Sequence, residues 1–141
     1  MEYAVQAWAP WQVGDLEMLE KVQRRMVAAV TGLVGSSYEE KLKEINMETL
    51  AARREKLDMQ QTYKIISGKE DVDQRIWFTR INEDRPVRRR LAEAGLNLDQ
   101  SAARLEIRRN FYSQRVLAPW NRLPQATKSS KNVAEFKRKL G

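Results

Sequence analysis

Residues 15–33 read DLEMLEKVQRRMVAAVTGL, and their apolar positions Leu16, Leu19, Val22, Met26, Val30 and Leu33 recur in steps of three and four. That spacing lays one stripe along a helix, with Asp15 as its expected N-cap and Gly32 and Gly35 as its expected end. Helical signals continue on both sides. Tyr3 to Trp8 reads as the last turns of a helix stopped by Pro10, and so abrupt an apolar opening suggests a chain cut from something longer. Ser37 with Glu40 forms a capping box at the head of a short helix to about Ile45. Asn46 is the expected cap of a longer helix reaching Ser67, with Gly68 in the left-handed position that closes it. On that helix Leu50, Leu57 and Ile65 share a face that Arg54 and Gln61 interrupt.

Periodicity fades over 69–104, where Gly, Asp, Asn and Pro are scattered and Arg85, Arg88, Arg89 and Arg90 gather around Pro86. A short helix or a strand near Ile76 to Arg80 fits equally well. From Leu105 helical spacing returns, placing Tyr112, Val116, Trp120 and Leu123 on one stripe until Pro124. Ser130 is the expected cap of a last helix that turns Val133, Phe136 and Leu140 inward. The reading is all-α: a small bundle of about five helices with an irregular basic connector. Its parts are a helical scaffold over 1–75, the connector over 76–104, and C-terminal helices over 105–141 packing back as one domain.

Composition narrows the chemistry. The 141 residues, 42% hydrophobic and 32% charged, suit one folded core rather than a disordered chain. With no cysteine and no histidine there are no disulfides, no thiolate or imidazole catalysis and none of the usual zinc sites, and we expect no cofactor. Asp71 and Asp73 form an Asp-x-Asp pair, but no other carboxylates converge on it and its neighbours are polar, so a solvated loop is the expected role. No stretch approaches the ~18 apolar residues of a membrane span, and no basic-then-apolar leader opens the chain, so an intracellular protein without a membrane partner is expected.

The net charge of +7 is unevenly spread: residues 76–141 hold 15 Lys and Arg against 6 Asp and Glu, while the first 75 residues are close to neutral. A field of that sign attracts polyanions, so the expected partner touches the second half. Arg108, Arg115 and Arg122 are seven apart and would form a row with steps of about 10 Å on a continuous helix, suited to following phosphates. The competing readings are a solvated face or ion pairs with the acidic first half, and Pro119 threatens the helix itself. The connector arginines Arg85, Arg88, Arg89 and Arg90 read equally as a phosphate clamp or a solvated loop. Arg53 and Arg54 lie so near Leu50 and Leu57 that a buried ion pair with a glutamate of the preceding helix is expected. The aromatic residues Trp8, Trp11, Trp77, Trp120, Tyr63, Phe78, Phe111, Tyr112 and Phe136 read as core before they read as base-stacking platforms.

Several pieces occur together in a recognisable order: Glu2-Tyr3-Ala4 then Gln6-Ala7-Trp8, Leu19-Glu20-Lys21-Val22-Gln23-Arg24-Arg25, Tyr38-Glu39-Glu40-Lys41-Leu42, and Leu50 followed by Arg53-Arg54. Arg109-Asn110-Phe111-Tyr112-Ser113-Gln114-Arg115-Val116, Trp120-Asn121-Arg122-Leu123-Pro124 and Phe136-Lys137 close the series. In this order and spacing the chain resembles the extreme C-terminal part of the reverse transcriptases of non-LTR (LINE-type, jockey-like) retrotransposons. The resemblance implies a helical thumb and tail that follow the polymerase palm and grip template-primer duplex by its backbone. It also implies no catalysis here, because the family's aromatic-x-Asp-Asp turn precedes this region and nothing in the chain matches it. Pro119 and residues 85–104 depart from the family pattern. The expectation is a non-catalytic fragment that holds RNA or an RNA/DNA duplex through phosphates, with the parent's palm as a further partner. The alternative is a helical protein-interaction module that docks onto a polymerase core or another protein.

Overall fold

A computed structural model describes residues 3–31, 35–81, 96–100 and 103–141. The described residues are helical apart from turns and one antiparallel bridge. The all-α class expected from the sequence holds. The chain divides into two compact units, one ending at Leu57 and one beginning at Asp58. The composition changes near residue 75, but the contacts divide inside a helix.

The first unit contains α1 (Val5–Trp8), α2 (Val13–Thr31), α3 (Tyr38–Glu44) and the first half of α4 (Leu50–Ile66). Helix α2 begins two residues before the expected cap, so Asp15 is not an N-cap. It sits in the first turn, where its charge favours the positive end of the helix dipole. The capping box is present at α3: Glu40 N donates to Ser37 Oγ over 3.3 Å, and Ser37 N donates to Glu40 Oε2 over 2.7 Å.

Asn46 does not cap α4. It takes φ +52° and closes α3 in a Schellman turn, with Met47 N on Leu42 O and Asn46 N on Lys43 O. Thr49 caps α4 instead, its Oγ1 accepting from Ala52 N. Asn tolerates the left-handed region because its short polar side chain can bond locally. That option competes with capping, and here it prevails. At the other end of α4, Gly68 (φ +66°) fills the position expected for it, with Lys69 N on Lys64 O and Gly68 N on Ile65 O.

Within the first unit α2, α3 and the start of α4 are tied by polar contacts around Glu20. Its Oε1 accepts from Tyr38 OH (2.5 Å) and its Oε2 from Leu50 N (3.2 Å), while Gln23 Nε2 donates to Tyr38 OH and Glu48 O. Burial and the bond to Glu20 push the Tyr38 hydroxyl up to about 12. Val5, Val27, Leu42 and Leu50 are buried in this unit.

The second unit continues with α5 (Gln74–Trp77), α6 (Glu106–Arg109), α7 (Tyr112–Arg115), α8 (Leu117–Arg122), α9 (Gln125–Lys128) and α10 (Val133–Leu140). Its core joins Met59, Tyr63 and Ile65 from the second half of α4 to Phe78, Leu98, Tyr112, Val116, Leu117, Trp120 and Phe136. Tyr63 stacks on Phe136 with centroids 4.4 Å apart, and Trp120 stacks on the same ring at 6.0 Å. The expected stripe of Tyr112, Val116, Trp120 and Leu123 does face inward, although the helix expected to carry it is broken twice. Phe111 is extended (ψ 144°), which separates α6 from α7. The second break lies at Val116 and follows from Pro119, whose missing N–H cannot bond the carbonyl of Arg115. Val116 itself keeps helical dihedrals, so the stripe stays in register.

Asn132, not Ser130, caps α10, accepting from Glu135 N over 2.8 Å. Ser130 is buried and holds the α9 end together, its Oγ donating to Thr127 O and its carbonyl accepting from Tyr63 OH. Residues 79–81 and 97–99 resolve the open choice near Ile76 to Arg80. A one-turn helix, α5, is followed by a bridge between Arg80 and Leu98, with Asp99 N on Thr79 O and Ile81 N on Asn97 O.

Two glycines test this account of the helix ends. A Cβ meets nothing within 4 Å at either Gly14 or Gly68, so only backbone conformation separates them. Gly68→Ala forces a left-handed alanine and is expected to cost about 1 kcal/mol. Gly14→Ala, inside α2, is expected to add about 0.5 kcal/mol. Urea unfolding of both variants checks this, and shifts of the same sign would contradict it.

Candidate nucleic-acid interface

The arginines singled out by the sequence have different fates. Arg85, Arg88, Arg89 and Arg90 lie outside the described residues. Arg108 and Arg122 are exposed, on α6 and α8. Arg115 is not exposed beside them. Its Nε donates to Asp58 Oδ2 (2.8 Å), its Nη2 to Asp58 Oδ1 (3.2 Å) and its Nη1 to the carbonyl of Asn110 (3.3 Å). The guanidinium also lies 5.9 Å from the centre of the Tyr112 ring.

The expected row on one continuous helix is therefore corrected: its three members stand on three short helices, and the central one is an internal clamp. A planar fork against a carboxylate gives two parallel charge-assisted bonds, which is the geometry of a structural pair. With side-chain exposures of 22% and 10%, neither partner is freely hydrated. Thr62 extends the clamp, donating to Asp58 O (2.8 Å) and sharing a hydrogen bond with Tyr112 OH (3.0 Å). Burial is the main reason the Tyr112 hydroxyl is held far above its ordinary range.

Lys128 is withdrawn from the surface as well. Its Nζ donates to Asn97 Oδ1 (2.6 Å) and Asn121 O (3.1 Å), and burial lowers its affinity for a proton. Asn121, which sequence reasoning did not single out for a role, clamps the bridge strand by accepting from Leu98 N and donating to Leu98 O, both at 2.9 Å. Trp120 beside it is 1% exposed and donates its indole N–H to Leu96 O. No periodicity signal reports an amide pairing with a backbone from a distant stretch of chain.

Cations that remain outside include Arg104, Arg108, Arg122, Lys137 and Arg138, all exposed and with no carboxylate in ion-pair range among the described residues. Lys139 does have one, paired with Glu135 one turn back at 2.7 Å. Around α6, Leu105, Ile107 and Phe111 are exposed between Arg104, Arg108 and Arg109, so apolar and basic groups alternate on that surface.

The other expectations divide. Trp120, Phe136, Tyr63, Tyr112 and Phe78 are core, while Trp8, Trp11, Trp77 and Phe111 are exposed. Arg54 is buried, but the ion pair expected for it is not found among the described residues. Its Nε donates to Leu50 O, and Nη1 and Nη2 have no partner among the described residues. Both oxygens of Glu20, on α2, accept from Tyr38 and Leu50. Asp73 caps α5 by accepting from Arg75 N, and among the described residues no three acidic side chains gather where a metal ion could bind. No described helix is long and apolar enough to cross a membrane. Comparison with protein-family models, curated proteins and solved structures gives no match.

The two kinds of arginine should respond differently to substitution. Arg115→Ala leaves Asp58 largely desolvated without its counter-charge and is expected to lower stability by about 2–4 kcal/mol. Arg108→Ala and Arg122→Ala are expected to change it by less than about 0.5 kcal/mol. Thermal and urea unfolding of the three variants separates them, and equal losses would place Arg115 among the surface cations.

Proposed function

We propose that this chain is a non-catalytic part of a LINE-type RNA-directed DNA polymerase, and that its second unit holds RNA or an RNA/DNA duplex by the phosphates without preference for sequence. The observation that carries the reading is the placement of charge. The unit from Asp58 onward contains 18 Lys and Arg against 10 Asp and Glu, and the unit up to Leu57 contains 8 against 9. Arg104, Arg108, Arg122, Lys137 and Arg138 supply exposed cations with no carboxylate partner among the described residues. The ordered series of motifs from Glu2 to Lys137 supports the assignment to this family. Contacts to phosphate carry no sequence information, so such a surface gives affinity and register but not base readout.

A second reading has its own observation. On α2, Met18, Val22 and Met26 are exposed at steps of four, forming an apolar stripe on a unit with almost no net charge. Large exposed apolar groups in a line suit a protein partner, and the polymerase palm is the one this reading names.

Salt dependence distinguishes the two. If about three to four phosphates are neutralised, the logarithm of RNA affinity should fall with the logarithm of salt concentration at a slope of about −3 to −4. The double variant Arg108→Glu, Arg122→Glu should weaken binding to every sequence alike. Fluorescence anisotropy with unrelated RNA duplexes measures both. A slope near zero contradicts nucleic-acid binding, and a salt-resistant complex with a polymerase palm, without RNA binding, establishes the second reading.

A further inference from the structure

A cleft of about 370 Å³ opens in the second unit between the end of α4, α5 and the bridge strands. Half-buried Ile66 is its apolar floor, with the buried Phe78 and Leu98 behind it, and Gln74, Arg75 and Arg80 stand around it with Thr79. Its size is near the lower end of the range for small-ligand sites, roughly 300–1,000 Å³, which suits one compact ligand better than an extended one.

The polar groups are held in place by bonds that leave donors over. Arg80 Nη2 donates to Ile66 O (3.1 Å) and to Gln74 Oε1 (3.2 Å), which fixes the guanidinium at the rim. Those bonds use the Gln74 oxygen and leave its Nε2 donors without a partner among the described residues. Arg75 is exposed with no ion-pair partner among the described residues, and Asp73, which caps α5, does not line the cleft.

We infer that this cleft binds a single nucleotide, with the base against Ile66 and the exposed edge of Phe78, the Gln74 amide on the base edge and the phosphate on Arg75 and Arg80. The chemistry follows from the lining. An apolar floor takes a flat ring, an amide can hydrogen-bond a base edge, and guanidinium groups bind phosphate oxygens. An apolar ligand alone would leave the arginines unused, and inorganic phosphate alone would leave Ile66 uncovered. The inference rests on the proposed function for its setting and adds to it a site for one unpaired nucleotide. A free mononucleotide and the unpaired end of a strand share this chemistry.

The test is a set of heteronuclear NMR titrations of the full chain, following the backbone amides of Ile66, Gln74 to Arg80 and Leu98. The probes are adenosine 5′-monophosphate, a short single-stranded RNA, a blunt RNA duplex, inorganic phosphate and an acidic peptide. Saturable shifts with the mononucleotide or the single strand, and weaker ones with phosphate or peptide, are expected. Arg75→Ala should reduce that affinity roughly tenfold, the loss of a charge-assisted bond. Gln74→Ala is a second variant that leaves the charge unchanged and should also weaken binding. Tighter binding of the mononucleotide identifies a free ligand, and tighter binding of the single strand identifies a strand end. No saturable shifts at these amides, or equal shifts with phosphate or peptide, would overturn the inference. Anisotropy with the blunt duplex in the same samples keeps the outcomes apart: duplex binding without cleft shifts removes only the nucleotide site, while loss of all duplex binding removes the proposed function.

Discussion

The pairing of Arg115 with Asp58 gives a guanidinium largely withdrawn from water its counter-charge in the second unit. Asp58 stands on α4 and Arg115 on α7, so the pair fixes which turn of α7 faces the helix whose next turns supply Met59 and Tyr63. The Thr62–Tyr112 hydrogen bond holds the same two helices one step further along. With α7 placed, Val116 and Trp120 point into the aromatic cluster and Trp120 can reach Leu96 O. The same arrangement sorts the cations. Arg115 and Lys128 work inside, and Arg104, Arg108, Arg122, Lys137 and Arg138 remain outside.

Many residues of the ordered motif series turn out to be struts of this fold. Tyr38 bonds Glu20, Leu50 is buried, Arg115 holds Asp58, Trp120 is enclosed and Asn121 pairs with Leu98. A motif of this kind therefore carries information about architecture first.

The sequence made the fold legible where local chemistry acts alone. The Ser37–Glu40 box, the Gly68 terminus and the inward stripe from Tyr112 to Leu123 each depend on neighbours within one or two turns. It was less legible where two local options compete. Asn46 could cap or terminate, and closes α3; Ser130 could cap or bond its own turn, and Tyr63 OH holds it in that turn. The candidate site was harder still. Seven-residue spacing presents Arg108, Arg115 and Arg122 as equivalents, and only the distant Asp58 separates them, 57 residues away along the chain. The cleft over Leu98 likewise joins residues from stretches with no common pattern.

Burial, not spacing, decides which arginines stay available at the surface. Side-chain Nε–Hε spectra of the chain titrated with duplex RNA test it most directly. The account predicts that the Arg115 resonance is protected from exchange and does not move, while those of Arg108 and Arg122 shift together with RNA. A shift at Arg115 with Arg108 and Arg122 unmoved would contradict it.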